Sequence, residues 1–258
     1  MLYGTSNVSE PARPNLARRA VAEGLGTALL VATVVGSGIM GETLAAGNTA
    51  LALLANTLAT GAALLALILT FASVSGAHFN PVVTLADAVL GGLRWREVTP
   101  YVVAQCLGGL LGTACANSMF GKAIFFASTH VRAGGAQIFS EFVATFGLLT
   151  AILGCGRARP TATPFAVAAY ITAAYWFTAS TSFANPAVTL ARTASDTFAG
   201  IRPADAPAFI GIQLVGAAAA VLLFRWLFAA APALAKGPMV TTPSVKESHE
   251  DRGIRLYP

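Results

Sequence analysis

Charge is what this chain has least of. Lys, Arg, Asp and Glu make up 10% of its 258 residues, against about 25% in a typical soluble domain. Apolar residues supply 55%, and the mean hydropathy is +0.68. A soluble globule needs polar side chains to cover its core, and a disordered chain needs still more of them, so both classes are excluded. The net charge is positive, at +5, but no basic stripe or cluster runs through the body of the chain, which excludes a nucleic-acid partner. Cysteine, at three residues, is scarcer than any charge class. Cys106, Cys115 and Cys155 lie in apolar stretches without metal-ligand spacing, so they read as packing residues. No nucleophile–base pair or metal-ligand set stands out, so the sequence predicts neither an enzyme nor a bound metal or cofactor.

What is present is a series of long uncharged runs. They cover 24–41, 43–77, 98–121, 160–191 and 206–224, together with 133–156, which only Glu141 interrupts. A helix needs roughly 20 apolar residues to cross the hydrocarbon of a bilayer. The runs predict six spans. Those at 43–77 and 160–191, of 35 and 32 residues, are too long for one span and too short for two, so each carries an extra piece. With six spans the termini share a side. That side would hold twelve of the sixteen Lys and Arg, leaving Lys122, Arg132, Arg192 and Arg202 opposite, which predicts both termini on the cytoplasmic side. The polar start, with Pro11 and Pro14, does not read as a cleaved signal. The expected organisation is a cytoplasmic segment over 1–17, a membrane domain over 18–235 and a cytoplasmic tail over 236–258.

The chain also repeats itself. The run from His78 to Leu85 contains Asn80-Pro81-Val82-Val83-Thr84-Leu85, and 105 residues later stands Asn185-Pro186-Ala187-Val188-Thr189-Leu190. Glu23 with Gly26-Thr27 opens the first span as Glu141 with Ala144-Thr145 opens the fourth. Each half, about 18–121 and 133–235, therefore reads as three spans with an Asn-Pro motif after its second. Three is odd, so the second half inserts upside down. Inverted repeats of this kind place their site near the bilayer midplane, at discontinuous helices. Asn is a good N-cap and Pro is at home in a first helical turn. Each motif thus predicts the start of a short half-helix that follows a re-entrant loop. Irregular backbone at membrane depth must be buried or line water. That backbone is expected at Gly76, Ala77 and His78 and at Thr181, Ser182 and Phe183. The two half-helix starts meet at the centre, where their partial positive charges oppose cations.

These residues resemble the aquaporin, or major intrinsic protein, family. The resemblance covers roughly 18–227. It is carried by Glu23 with Gly26-Thr27, the run from Ser75 to Pro81, Ala104-Gln105, Glu141 and the second Asn-Pro-Ala. It implies an all-α membrane fold of six spans and two re-entrant half-helices around one pore per subunit, assembled as a homotetramer in the lipid bilayer of a bacterial plasma membrane. It further implies a passive channel for water and small neutral solutes. The Asn80 and Asn185 amides would donate to a passing solute oxygen and so break a chain of protons. The six loop carbonyls would form a ladder of acceptors. Glu23 and Glu141 would brace the loops by accepting from their backbone, although an intramembrane carboxylate also permits proton relay.

Carrying over the family's constriction by offset from the two asparagines gives Thr60, Ala173, Ser182 and Val188. The last position is usually Arg. Four small uncharged residues predict a wide, weakly polar filter. This departure resembles a bacterial subgroup associated with arsenic resistance, which implies arsenous acid or methylated arsenicals beside glycerol-like polyols. Arg192 lies one helical turn beyond Val188 and is expected in the outer vestibule, either curling back over the mouth or reaching outward. Its counterpart seven past Asn80 is Asp87. Two other readings remain open from the sequence: a secondary transporter that couples protons through Glu23 or Glu141, and a non-conducting structural membrane protein.

Overall fold

A computed structural model describes residues 14–228. Most of the expected N-terminal segment, and the whole of the expected tail, lie outside the described residues. The architecture is all-helical: α1 (Leu16–Leu44), α2 (Thr49–Ser75), α3 (Pro81–Val89), α4 (Trp95–Met119), α5 (Gly135–Ala158), α6 (Thr163–Phe177), α7 (Pro186–Arg192) and α8 (Ala206–Leu227). Among the described residues, α1, α2, α4, α5 and α8 are long and apolar enough to cross a membrane. The sixth span, α6, has 15 residues after a 3-10 turn at Pro160–Ala162, so it is shorter than the sequence suggested. Its run is divided differently. The chain leaves the helix at Thr178 in extended geometry and descends through 178–184 to the second Asn-Pro motif.

Asparagine starts four of the helices. The Asn15 and Asn48 side chains accept from Arg18 N and Leu51 N at the heads of α1 and α2. Asn80 and Asn185 do the same for the two short helices, accepting from Val82 N and from Ala187 N and Val188 N, with Pro in each first turn. An N-cap leaves fewer orphan N–H groups, which matters most where no water can take them.

The two halves pack alike. α1 lies along α4 and α5 along α8, and both crossings are built on small residues. A Cβ on Gly108 would overlap the Gly24 carbonyl, one on Gly112 would overlap that of Ala28, and one on Gly216 would stand 2.8 Å from the Phe142 carbonyl oxygen. In lipid, helices gain little from apolar burial against each other, so close approach of backbones is the main source of packing attraction. The exterior keeps its leucines, Leu58, Leu107, Leu111 and Leu222 among them, each more than half exposed in the single chain. The connections 120–134 and 193–205 meet at one end of the bundle, where Phe126 N donates to Ala194 O and Arg202 N to His130 O. Lys122, Arg132, Arg192 and Arg202 belong to that end.

Replacing Gly108 by Ala adds a methyl group directly against the α1 backbone, which cannot give way. The expected loss is about 1–3 kcal/mol, read as a lower midpoint in thermal unfolding of the detergent-solubilised protein. Gly211→Ala, with nothing within 4 Å of the new Cβ, is expected to stay within about 0.5 kcal/mol of wild type or to gain slightly from helix propensity.

Candidate functional site

The two half-helices meet head to head inside the bundle, and their loops are tied to each other. Asn80 Nδ2 donates to Ala184 O at 2.8 Å, and Asn185 Nδ2 donates to Phe79 O at 2.8 Å. Each amide has one further N–H, and both asparagines line a cavity of about 240 Å³ that threads the bundle. Pro81, Val82, Pro186 and Ala187 are buried in the first turns behind them.

The loops reach this point in a costly conformation. Gly76, Ala77 and Phe79 have φ of 95°, 52° and 50°, and their counterparts Thr181, Ser182 and Ala184 have 60°, 51° and 47°. The left-handed region is unfavourable for any residue with a Cβ and persists only where the surroundings over-determine it. Two buried carboxylates supply that constraint. Glu23 Oε1 accepts from Ser75 Oγ at 2.6 Å and His78 N at 3.0 Å, and its Oε2 accepts from Phe79 N at 2.7 Å and Gln105 Nε2 at 2.8 Å. Glu141 Oε1 accepts from Phe183 N at 2.8 Å, and its Oε2 accepts from Ala184 N at 2.9 Å and Gln213 Nε2 at 2.7 Å. Each glutamine also donates to the threonine four residues past the motif Asn: Gln105 to Thr84 Oγ1 at 2.9 Å, Gln213 to Thr189 Oγ1 at 3.0 Å. The Glu–Gln–Thr clamp is thus duplicated by the inverted repeat. Sequence reading singled out the two glutamates but passed over Gln213. The signal was there, as a lone amide side chain in the run 206–224.

Gly76, Ala77, His78, Ser182 and Phe183 line the cavity; Thr181 does not, and its hydroxyl instead lies 3.5 Å from Arg132 NH1. Thr60, Ser182 and Val188 also line the cavity, but Ala173 corrects the sequence expectation. It is exposed on the outer face of α6, and Tyr175 takes the lining position, its hydroxyl 3.3 Å from Thr60 Oγ1. The offset of twelve residues from Asn185 assumed a link between helix and motif two residues longer than the one present. A slip of two residues turns a helix by about 200°, which carries a side chain to the opposite face. This part of the cavity lining therefore contains a phenol and is not built from small residues alone.

Nor is this end free of charge. The Arg192 side chain curls back. It is 2% exposed, its Nε donates to the Ala199 carbonyl, its Cζ lies 3.4 Å from the centroid of the Phe183 ring, and the residue lines the cavity. Arg132, which sequence reading did not select, lies 5.0 Å from the Phe183 centroid. Its guanidinium donates to Gly200 O at 2.8 Å and Ser180 O at 3.1 Å. Burial, with Arg132 and Arg192 nearby, holds the His130 imidazole in the adjoining connection below its ordinary value. Two guanidinium groups thus stand at this mouth, with the Asp196 and Asp205 carboxylates in the adjoining connection. At the other mouth, His78 Nε2 stands 3.5 Å from Asp87 Oδ2, and both line the cavity.

Glu23→Gln replaces two acceptor oxygens by one and turns a donor toward Phe79 N or His78 N. An unpaired buried group costs about 1–3 kcal/mol, so the variant is expected to melt earlier and to conduct less, in proportion. A variant as stable as wild type that had lost only a pH-driven flux would instead mark Glu23 as a proton carrier.

Comparison with known proteins agrees with this geometry. Residues 10–163 match the family model described as major intrinsic protein. The chain is 53% identical over 213 residues to aquaglyceroporin AqpS of Rhizobium meliloti (strain 1021), covering 83% of this chain and 91% of that protein. It is 37% identical over 93 residues to aquaporin NIP1-2 of Oryza sativa subsp. japonica, covering 33% and 31% of the two chains. The solved structure of the aquaglyceroporin from Plasmodium falciparum superposes with a TM-score of 0.64 at 23% identity, over 84% of this chain and 97% of that one, a likeness of fold. With two capped half-helices meeting inside six spans, and with these relatives, the chain belongs to the aquaporin or major intrinsic protein family, on its aquaglyceroporin-like side, and is a channel protein of the membrane rather than an enzyme.

Proposed function

We propose that the passive channel formed by this chain for water and glycerol-like solutes is specialised for small, neutral, polyhydroxylated molecules, arsenous acid and methylated arsenicals included. The observation that carries the reading is Val188, three residues past Asn185 at the position where the family usually keeps Arg. A guanidinium there would fill the lumen beside Tyr175 and Ser182. Val188 leaves that space, and the positive charge stands one turn further out, at Arg192.

The lumen has two kinds of lining. Leu30, Val34, Leu64, Leu149, Val167 and Ile171 are apolar, while His78, Asn80, Ser182 and Asn185 are polar. Such a lumen suits a solute with hydroxyls on one edge and an apolar edge opposite, because each group stays matched while water is stripped. The free N–H of Asn80 and of Asn185 donates to a solute oxygen at the centre, so that oxygen has no lone pair left for a neighbouring water, and the chain of protons is broken there. Loop carbonyls accept from the solute hydroxyls on either side. The filter is Thr60, Tyr175, Ser182 and Val188.

In the cell, the Arg192 mouth faces outward and both termini lie in the cytoplasm of a bacterium whose plasma membrane holds the protein. The twelve-to-four distribution of Lys and Arg supports this orientation. The subunits assemble as a homotetramer, as the family resemblance implies, with one pore in each.

Reconstituted vesicles are expected to swell in a glycerol gradient, and to take up arsenous acid, without any ion gradient; swelling equal to that of empty vesicles for every neutral solute defeats the reading. Val188→Arg is expected to lower glycerol flux by about tenfold while lowering water flux by about threefold or less, since the larger solute loses the space first. Stopped-flow light scattering measures both. Equal loss of the two in a folded variant means that Val188 does not set the size limit.

A further inference from the structure

Among the described residues that line the cavity, two carry a formal charge: Asp87 and Arg192. They are equivalent positions, each seven residues past the motif Asn. The inverted repeat therefore puts them at opposite mouths. Both sit near the C-terminal end of a half-helix, Asp87 in α3 and Arg192 in α7. That end carries partial negative charge, so Arg192 is well placed there and Asp87 is not. Local helix energetics thus give no reason for an acid at Asp87. The fold nevertheless makes room for it. Gly92 offers no Cβ against the carboxylate, where one would overlap Asp87 Oδ1. The carboxylate, its side chain 37% exposed, has the His78 imidazole at 3.5 Å and faces the lumen.

The rest of the pathway favours one sign of ion. Arg192 lies at one mouth with Arg132 behind it, and the Asn80 and Asn185 amides and the half-helix starts present N–H groups at the centre. Each of these repels a cation and attracts an anion. Where the family's usual Arg is replaced by Val188, size alone does not stop a small ion that enters. An anion drawn in at the Arg192 mouth would meet no cavity-lining charge of its own sign until Asp87, because the Glu23 and Glu141 carboxylates stand behind the lining and are taken up by loop N–H donors.

We propose that Asp87 is a specificity-determining residue of this pore: it is the anion barrier, paired with Arg192 as the cation barrier, so that a channel wide enough for polyols rejects small ions of both signs. The inference rests on the channel reading above. Each ion meets a like charge at one mouth, buried at Arg192 and partly exposed at Asp87, so that salt screens the second more than the first. A neutral solute meets neither barrier and can use both groups, donating its hydroxyls to Asp87 and accepting at Arg192.

The test uses the full-length protein in vesicles, with glycerol swelling, nitrate flux and sodium flux read on the same preparation. Asp87→Asn keeps shape and removes charge. It is expected to raise the ratio of nitrate to glycerol flux by about tenfold or more, the effect of removing one charge a few ångströms from the path of an ion, with the sodium ratio unchanged. Asp87→Glu is expected to restore the wild-type nitrate ratio. Arg192→Gln is expected to raise the sodium ratio and not the nitrate ratio. A nitrate ratio in Asp87→Asn equal to wild type overturns the proposal, and so does a parallel rise in nitrate and sodium, which would signal a loosened mouth. Wild-type vesicles that do not swell in glycerol overturn the channel reading itself, an outcome separate from any change in ion ratios.

Discussion

Everything in this pore depends on holding two stretches of irregular backbone at the middle of a membrane. Backbone N–H and C=O groups at that depth have no solvent to turn to, and each one left unpaired costs several kcal/mol. The chain answers with a buried carboxylate for each stretch. Glu23 and Glu141, both fully buried, accept from successive loop N–H groups and fix the carbonyls of the same residues toward other partners or the lumen. The left-handed residues of the loops cost of order 1–3 kcal/mol each, and a hydrogen bond to a charged acceptor returns about 1.5–3 kcal/mol. The two quantities are of one size, so the loop conformation stands only while its carboxylate does. That dependence makes the glutamates, which do not line the cavity, as necessary to its shape as the asparagines that do.

The clamp in turn needs the helices to be close. Glu23 is on α1, Gln105 on α4 and Thr84 on α3, and the three side chains meet within hydrogen-bond distance only because α1 and α4 approach along Gly24, Ala28, Gly108 and Gly112. A larger residue at that crossing would move Gln105 away from Glu23 before it disturbed anything in the lumen. Next to the same region, Tyr101 donates to Ser75 O at 2.9 Å, and the buried Arg19–Glu97 pair stands beside it. The last turn of α2 is therefore fixed from two directions before the chain turns into the loop. The packing of small residues, the polar clamp and the loop form one chain of cause.

Much of this was legible in the sequence because a membrane leaves few solutions. Six uncharged runs, two of them overlong, and a repeated Asn-Pro motif leave little but two half-helices in an inverted repeat. The asparagines, the prolines and the glutamates could be named because each is a residue type with one physical job at that depth. What was not legible depends on angle. Ala173 and Tyr175 are two residues apart on an apolar helix, and only the length of the 178–184 link decides which one turns inward. Arg192 had two destinations open to it, and the flat Phe183 ring that receives the guanidinium lies nine residues back in the chain, in a loop whose path no local pattern reveals. The shorter α6 has the same origin. An uncharged run gives the total length of helix plus loop, not where one becomes the other.

The inverted repeat has diverged in a way that separates what must be the same in both halves from what is free to differ. The parts that hold the centre are duplicated almost atom for atom: Asn and Pro, Glu, Gln and Thr, with left-handed residues at matching places. The parts at the mouths are not: Asp87 stands where the other half has Arg192. Symmetry at the centre follows from chemistry, because each half must satisfy the same buried loop N–H groups at a depth without water. Nothing imposes that symmetry on the ends, which border different compartments. A fold that fixes its centre by symmetry and leaves its mouths to drift can change which solutes approach it without disturbing the backbone they pass, and the opposite charges at positions 87 and 192 are the clearest sign that this chain has done so.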